Sequence, residues 1–143
     1  MKHDIRKLQV QDLAIGDWVT GEKSTPMYVA AIFEDGWLYL SFRDNTADPI
    51  ERKVDEVTGI LLTKPVLRHF GFAEIEHNVF EKQCDGFKVR VVVFYVDKAC
   101  YVRAIVEHSD GGYRFDDNIA FVHQLQHFVF SNTKKGFNLD YER

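Results

Sequence analysis

The feature that most constrains the fold is a pair of long β-type runs joined by a very short connection. Phe87–Val96 and Ala99–His108 are rich in β-branched and aromatic residues, and only Asp97 and Lys98 lie between them. A two-residue loop fixes the register of an antiparallel hairpin, and a slip of one residue would move every side chain to the opposite face. The sequence therefore predicts one hairpin with a single register.

The predicted register gives the hairpin two faces of different character. One face is apolar and pairs Tyr95 with Cys100, Val93 with Val102, Val91 with Ala104, and Val89 with Val106. The other face pairs Lys88 with Glu107, Arg90 with Ile105, Val92 with Arg103, and Phe94 with Tyr101. We expect the apolar face to lie against a helix, while the second face carries a charge pair and an aromatic pair.

A helix over residues 118–134 is the expected partner of the apolar face. Its apolar residues recur at spacings of three and four and form one stripe: Phe121, Val122, Leu125, Phe128 and Val129. Residues 116–118 (Asp-Asp-Asn) can accept hydrogen bonds from the first free N–H groups of this helix. Gly136 follows as a stop signal.

Short β-type segments with closely spaced turns occupy residues 13–62. The predicted strands pass through Trp18 and Val19, through 27–33, through 37–42 and through 50–57. This spacing is typical of a curled antiparallel sheet or a small barrel. The tetrapeptide Gly-Asp-Trp-Val at 16–19 resembles the opening of many SH3-like barrels.

A short helix over residues 63–71 is predicted to connect the two halves of the chain. Thr63 can cap it, Pro65 is tolerated in its first turn, and Gly71 ends it. Residues 72–80 are predicted to form one strand and residues 113–115 a short one. Residues 2–12 are predicted to be an edge strand or an arm, and the period-two pattern of 137–141 suits a sheet edge.

The predicted fold class is therefore α+β. It consists of an N-terminal curled antiparallel sheet or SH3-like barrel, a short connecting helix, and an antiparallel β-hairpin sheet packed on a C-terminal helix. With 143 residues, the chain is expected to form a single compact unit over 1–143. Within it we predict a β-subdomain at 13–62 and an α+β subdomain at 63–143.

Charge and cysteine content narrow the classes of function. The formal net charge of −4 disfavours a general nucleic-acid binder, because such proteins usually carry a basic stripe. Cys84 and Cys100 lack zinc-site spacing and are interpreted as reduced thiols. The N-terminal residues lack an apolar signal core, and the longest apolar run, 91–96, is too short to span a bilayer. These features predict a cytoplasmic protein without membrane association.

Two histidines on the C-terminal helix are candidate ligand-binding residues. His123 and His127 are four residues apart and would share one helix face. The zinc-protease pattern requires Glu directly after the first histidine, and this chain has Gln124 there. The spacing identifies no third ligand, so no metal is predicted, and packing beside the core is the favoured interpretation.

The residue pattern contains no evident catalytic constellation. There is no Gly-rich phosphate loop, no Gly-x-Ser-x-Gly elbow and no zinc-type Cys/His cluster. Asp116 and Asp117 are acid–base candidates together with the two histidines, but helix capping is the better explanation for them. We therefore predict a protein that is not an enzyme and that uses no cofactor.

The second face of the hairpin is the best candidate binding surface. It places Phe94 and Tyr101 beside Arg90 and Arg103, and protein-interface hot spots are rich in arginine and aromatic residues. The leading hypothesis is a protein-binding or adaptor domain, with self-association as a further expectation. In a competing interpretation of equal weight, the rest of the chain covers this face.

Nucleic-acid binding by an accessory protein is the alternative hypothesis. Basic residues lie on or beside the hairpin, interleaved with aromatic residues: Lys88, Arg90, Lys98, Arg103 and Arg114. This combination can form a stacking platform for single strands. The net negative charge weighs against it.

Three segments of the chain carry a resemblance to other proteins. They are 12–19 (Asp-Leu-Ala-Ile-Gly-Asp-Trp-Val), 60–72 (Ile-Leu-Leu-Thr-Lys-Pro-Val-Leu-Arg-His-Phe-Gly-Phe) and 121–130 (Phe-Val-His-Gln-Leu-Gln-His-Phe-Val-Phe). In this order they resemble a group of small uncharacterised proteins from Bacteroidetes bacteria and their phages or mobile elements. The resemblance implies a cytoplasmic bacterial or phage origin and a shared architecture, but no functional residues. The chain departs from the group at 134–136, where Lys-Lys-Gly replaces an acidic run.

Overall fold

The computed structural model describes residues 8–21, 25–42, 49–135, 137 and 139. The described strands are β1 (Trp18–Thr20), β2 (Pro26–Ile32), β3 (Trp37–Ser41), β4 (Ile50–Lys53), β5 (Thr58–Gly59), β6 (Ala73–Glu76), β7 (Val79–Gln83), β8 (Phe87–Val96), β9 (Ala99–His108) and β10 (Tyr113–Ile119). The described α-helices are α1 (Lys64–His69) and α2 (Val122–Thr133). The predicted α+β fold class is confirmed.

The chain divides into two compact units, Met1–Ile60 and Leu61–Arg143. Each unit contains a five-stranded antiparallel sheet. That residues 1–143 form a single compact unit, with subdomains at 13–62 and 63–143, stays a prediction.

The first unit is a curled half-barrel with the strand order β4-β3-β2-β1-β5. Apolar and polar-facing positions alternate along its strands, so that Leu38 and Leu40 are fully buried and Tyr39 between them is exposed. The core is apolar and consists of Leu13, Val19, Met27, Val29, Leu38, Leu40 and Val57. The predicted curled sheet at the N-terminus is confirmed.

The predicted strand over 50–57 is wrong in its second half. β4 ends at Lys53, and Val54–Glu56 form a short 3-10 helix. The Lys53 N–H donates to a carboxylate oxygen of Glu56 at 2.9 Å, and the Val54 N–H donates to the Gly36 carbonyl at 2.8 Å. An acidic side chain that binds nearby backbone favours such a turn over continued strand pairing. β5 then pairs with β1.

The second unit is built on the predicted hairpin. β8 and β9 pair without a slip, from Phe87 opposite His108 to Val96 opposite Ala99. The inner residues of this hairpin within the sheet are at most 4% exposed: Val89, Val91, Val93, Val102, Ala104 and Val106. Tyr95, close to the turn, remains 59% exposed. The predicted register is confirmed at every pair.

The predicted single strand over 72–80 is wrong, because this segment forms a second hairpin. β6 and β7 pair antiparallel and are joined by a turn at His77 and Asn78. Asn78 has a φ of 66°, a conformation that asparagine adopts more readily than most residues. β7 continues to Gln83 and pairs with β8, which gives the sheet order β10-β9-β8-β7-β6.

The predicted start of the C-terminal helix is wrong by several residues. Residues 116–118 belong to β10 and do not cap the helix: Asp116 pairs with Ala104 on β9, and residues 117–118 lie in a register shift of the strand. The N-cap of α2 is Phe121. Gln124 replaces the missing caps, since its Oε1 accepts hydrogen bonds from the N–H groups of Ala120 at 2.8 Å and Phe121 at 3.0 Å.

The far end of α2 also differs in detail from the prediction. The helix ends at Thr133, and Lys134 follows in a left-handed conformation with φ of 59°. The predicted stop at Gly136 lies outside the described residues. α2 packs mainly against β9 and β10 and buries an apolar stripe composed of Val122, Leu125 and Val129.

The short helix α1 has the predicted cap and stop. Thr63 Oγ1 accepts a hydrogen bond from the Val66 N–H at 3.3 Å, and Gly71 ends the turn with φ of 88°. No helix among the described residues is long and apolar enough to cross a membrane. The prediction for residues 2–12 falls largely outside the described residues, and its described end is not a strand, because Val10–Asp12 form a short 3-10 helix. Tyr141 also lies outside the described residues, while Phe137 and Leu139 are buried.

Candidate binding face

The side of the second sheet that faces away from α2 brings the candidate hairpin residues together. We refer to it as the outer face. By register or by contact with Phe94 and Arg103, its side chains include Glu81, Lys88, Arg90, Val92, Phe94, Tyr101, Arg103, Ile105, Glu107, Tyr113, Phe115 and Asp117. Strands β7 to β10 all contribute to it.

Arg103 lies at the centre of the outer face. Its guanidinium carbon is 5.8 Å from the ring centroid of Phe94 and 5.0 Å from that of Phe115. Its Nε and Nη2 donate to the two carboxylate oxygens of Asp117 at 2.6 and 2.9 Å. The guanidinium is thus held in one plane by a carboxylate and flanked by two aromatic rings.

The ion pair shifts the titration of both partners. Hydrogen bonding from Arg103 lowers the pKa of Asp117, and partial burial of the carboxylate opposes this effect only in part. The same hydrogen bond raises the pKa of Arg103 above its ordinary value. Both groups are therefore charged across the physiological range, and the arrangement does not change near neutral pH.

Phe94 and Tyr101 form a stacked pair across β8 and β9. Their ring centroids are 5.8 Å apart and the rings are inclined by 25°. Both side chains are half-buried. The sequence left open whether they form an exposed binding surface or are covered by the rest of the chain, and their exposure lies between these two cases. The Phe94 ring of this pair also contacts the guanidinium of Arg103.

The more exposed aromatic residues of the outer face come from β10. Phe115 is 56% exposed and Tyr113 is 65% exposed, and the register places them opposite Ile105 and Glu107. Tyr113 and Phe115 were not predicted as site residues. The sequence indicated only a short strand at 113–115, and its pairing with β9 could not be assigned. The period-two spacing of Tyr113 and Phe115 was the available signal.

Arg90 lies on the outer face but is held by its own ion pair. Glu81 on β7 accepts a hydrogen bond from Arg90 at 2.9 Å and lies 3.4 Å from the Lys88 ammonium. Partial burial pulls the pKa of Glu81 upward, but the hydrogen bonds from Arg90 and Lys88 outweigh it and leave the pKa lowered. Glu107 lies opposite Lys88 in the register, so the two positive charges at this end of the face are matched by two carboxylates.

The basic residues considered for nucleic-acid binding do not form one surface. Lys98 lies in the turn between β8 and β9, and Arg114 is opposite Val106, which places it on the helix side of the sheet. Of the remaining three, Lys88 and Arg90 share the carboxylate of Glu81, and Arg103 is paired with Asp117. Lys98 and Arg114 therefore lie apart from the other three basic residues, whereas Phe94 and Phe115 both contact Arg103 on the outer face.

The two histidines of α2 lie away from the outer face. His123 is buried at 3% exposure, its ring stacks on Phe121 at 5.8 Å, and the His127 ring is 5.9 Å away. No group of three His, Cys, Asp or Glu side chains suited to a metal ion occurs among the described residues.

The acid–base candidates are divided between the two sides of the sheet. Asp117 is held by Arg103 on the outer face. Asp116 and His127 instead line a small depression of about 410 Å³ beside α2. The Asp116 carboxylate accepts a hydrogen bond from the Asn118 N–H at 2.7 Å, and this bond belongs to the irregular end of β10. The four candidates therefore do not form one cluster.

Comparisons with family models, curated proteins and solved structures give no match for this chain.

Proposed function

We propose that this chain is a non-catalytic protein-binding or adaptor domain that binds its partner through the outer face. The single observation that carries the proposal is the placement of Arg103, whose guanidinium lies between the rings of Phe94 and Phe115 and is fixed by Asp117. The resemblance of its sequence to proteins of Bacteroidetes bacteria and their phages supports a bacterial or phage cytoplasm as the setting.

A protein partner suits this surface for energetic reasons. Arginine and aromatic side chains contribute most strongly to protein interfaces when they sit at a well-packed centre. Arg103 is already oriented by its contacts, so binding would cost little of its side-chain entropy. Phe115 and Tyr113, at 56% and 65% exposure, offer apolar area that a partner can remove from water.

The nucleic-acid alternative has weaker support. Phosphate binding draws its strength from unneutralised Lys and Arg side chains, which release counterions on binding. On the outer face, Glu81 lies within 3.4 Å of both Lys88 and Arg90, and Asp117 is held by Arg103. A partner with its own hydrogen-bonding groups and apolar side chains fits this balanced surface better.

The test begins with identification of a partner and ends with matched variants. The tagged domain is cross-linked in cytoplasmic extract of a Bacteroidetes host, with and without phage infection, and the captured protein is identified and purified. Its affinity is then measured by calorimetry for the unchanged domain, for Phe115→Ala and for Arg103→Ala. The control is Phe130→Ala, because Phe130 is a similarly exposed aromatic residue (54%) on α2.

Hot-spot behaviour predicts that Phe115→Ala and Arg103→Ala each weaken binding by about tenfold or more, while Phe130→Ala leaves the affinity unchanged. Equal affinities for all three variants would exclude the outer face as the binding surface. Capture of nucleic acid, with an affinity that falls steeply as salt is raised, would favour the alternative. Sedimentation of the purified domain at increasing concentration tests whether the partner is a second copy of this chain.

A further inference from the structure

We propose that a depression on the first unit is a binding site for an organic cation of the trimethylammonium class. The site is separate from the outer face and does not depend on its proposed function. We refer to it as the aromatic depression; it has a volume of about 650 Å³ and is lined by Phe33, Glu34, Asp35, Trp37, Tyr39 and Glu51.

Three aromatic rings meet at this depression because of the β2–β3 hairpin. Trp37 and Tyr39 alternate along β3 and so lie on the same side of the strand, facing away from the buried Leu38. The Phe33 N–H donates to the Trp37 carbonyl at 2.9 Å, which holds Phe33 beside them across the turn. The Phe33 and Tyr39 ring centroids are 4.9 Å apart and the rings are inclined by 71°.

This geometry leaves aromatic surface open to a ligand. Phe33 is 41% exposed and Tyr39 is 37% exposed, so both side chains present apolar ring surface to solvent. Two rings set nearly at right angles form a corner, and a cation against a ring face is attracted by the negative charge of the π-system. The corner therefore favours a positively charged group with an apolar outer shell.

Carboxylates around the depression favour the same sign of charge. Glu34, Asp35 and Glu51 line it together with the rings. The Tyr39 hydroxyl is hydrogen-bonded to Glu51, and this bond, followed by the negative charge of Glu51, raises the pKa of Tyr39. Three carboxylates repel an anion, and an uncharged apolar ligand would gain nothing from them.

A cation of the chain already contacts one of these rings. The Lys53 ammonium lies 5.5 Å from the Trp37 ring centroid, and Lys53 is the direct cross-strand partner of Trp37. This contact places a positive charge against the face of the Trp37 ring. Lys53 then acts as an internal competitor, which an incoming cation must displace from the Trp37 face.

The chemistry of the site selects a weakly hydrated organic cation over a metal ion. Divalent metals need several oxygen or nitrogen ligands at short range, and no metal-binding group of three acidic, His or Cys side chains occurs among the residues that the structure describes. A trimethylammonium group presents methyl carbons to the rings and carries a full charge for the carboxylates. Such a group occurs on free quaternary amines and on trimethylated lysine in proteins.

The test compares two probes of equal shape and different charge. Binding of choline and of 3,3-dimethylbutan-1-ol, its uncharged carbon isostere, is followed by NMR shifts of the Trp37 and Tyr39 amides. Choline is expected to give saturable shifts, and the isostere to bind about fivefold more weakly or worse. Equal binding of the two probes, or no saturable shift with choline or with a trimethyl-lysine peptide, would overturn the proposal.

The source of the cation is distinguished by a second pair of probes. A short peptide with trimethyl-lysine is compared with the same peptide carrying unmodified lysine and with free choline. Tighter binding of the methylated peptide than of choline assigns the site to a modified protein, whereas tighter binding of choline assigns it to a small molecule. Either result supports the proposed cation chemistry.

Two substitutions with opposite expected effects on choline binding distinguish a change at the site from misfolding of a variant. Glu51→Gln removes a charge that attracts the ligand and is expected to weaken choline binding severalfold. Lys53→Met keeps the methylene stem but removes the competing charge, so it is expected to tighten binding. Tyr95→Ala, which alters an exposed aromatic residue (59%) of the second unit, serves as the control with unchanged binding. Choline binding that does not respond to Glu51→Gln and Lys53→Met would place the cation elsewhere and reject this assignment.

Discussion

Arg103 on β9 and Asp117 on β10 are joined by two hydrogen bonds of 2.6 and 2.9 Å at the place where β10 loses its regular pairing. The register shift lies between Asp116 and Ile119. The shift brings Ile119 opposite Val102, where the uninterrupted register would place Asn118, and Ile119 is buried there. Asp117 follows directly after the regular pair of Asp116 and Ala104, so the register before the shift already places its carboxylate beside Arg103 on the outer face.

Acid is expected to weaken the fold through Asp117 and Glu81. Both carboxylates have a pKa in the folded chain that is lowered from the ordinary value. Such groups stabilise the fold at pH values above their unfolded pKa, and this contribution is lost as the pH falls through the folded pKa. We expect the free energy of unfolding to be steady near neutral pH and to decline below about pH 4. Denaturant titrations at a series of pH values measure the decline.

The double variant Asp117→Asn/Glu81→Gln is the control for this pH dependence. It is expected to show a shallower decline in acid than the unchanged protein, because two of the lowered carboxyl pKa values have been removed. The difference is expected to be small, since Arg103 and Asp117 are 44% and 42% exposed and water screens their attraction. An identical acid decline in both proteins would contradict the prediction.

Leu125→Ala is expected to destabilise the second unit strongly. Leu125 is 1% exposed on the stripe of α2 that packs against the sheet, and removal of its side chain leaves a cavity that the neighbours fill only in part. The cost is about 2–5 kcal/mol of the free energy of unfolding. Phe130→Ala, on the exposed side of the same helix, is expected to cost about 0.5 kcal/mol or less. Chemical denaturation of both variants measures the difference. Equal losses in the free energy of unfolding would show that Leu125 is not a core residue.

The β8–β9 hairpin shows why much of the second sheet could be predicted from the sequence. The runs are long, the loop is two residues, and a wrong register would have placed arginine and lysine among the buried valines. Each of these constraints is local and they agree with one another. The same agreement between a cap, a period and a stop made α1 predictable, since Thr63 and Gly71 act as expected.

The errors occur where a local signal fits two structures. Residues 116–118 have the composition of helix caps, but tertiary pairing with β9 makes them part of a strand, and Gln124 satisfies the free N–H groups instead. The β6–β7 hairpin has His77 and Asn78 at its turn, where glycine would have been an obvious signal. The ring contacts of Phe115 with Arg103 depend on the length of β10, so they could not be predicted before that strand was known.

Lys98→Gly is expected to stabilise the protein. Lys98 has a φ of 71° in the turn between β8 and β9, a conformation that strains a residue with a Cβ atom and that glycine adopts readily. The gain in the free energy of unfolding is expected to be roughly 0.5–1 kcal/mol, since glycine also loses more entropy on folding. Lys98→Ala is the matched control, because it removes the charge but keeps the Cβ atom. A similar gain in both variants would attribute the effect to charge and not to the backbone.

Gln124→Ala is expected to weaken the start of α2. The Gln124 amide oxygen accepts hydrogen bonds from the N–H groups of Ala120 and Phe121 at 2.8 and 3.0 Å, and alanine would leave these two partly buried donors unpaired. The expected cost is about 0.5–2 kcal/mol. Gln124→Glu keeps the acceptor and adds a negative charge near the helix N-terminus, so its stability should equal or exceed that of the unchanged protein.

Denaturation curves distinguish the two variants, and amide hydrogen exchange at Ala120 and Phe121 should accelerate in Gln124→Ala alone. If exchange at these two amides were unchanged, water or another group would be the acceptor, and the assignment of Gln124 as the cap would fail.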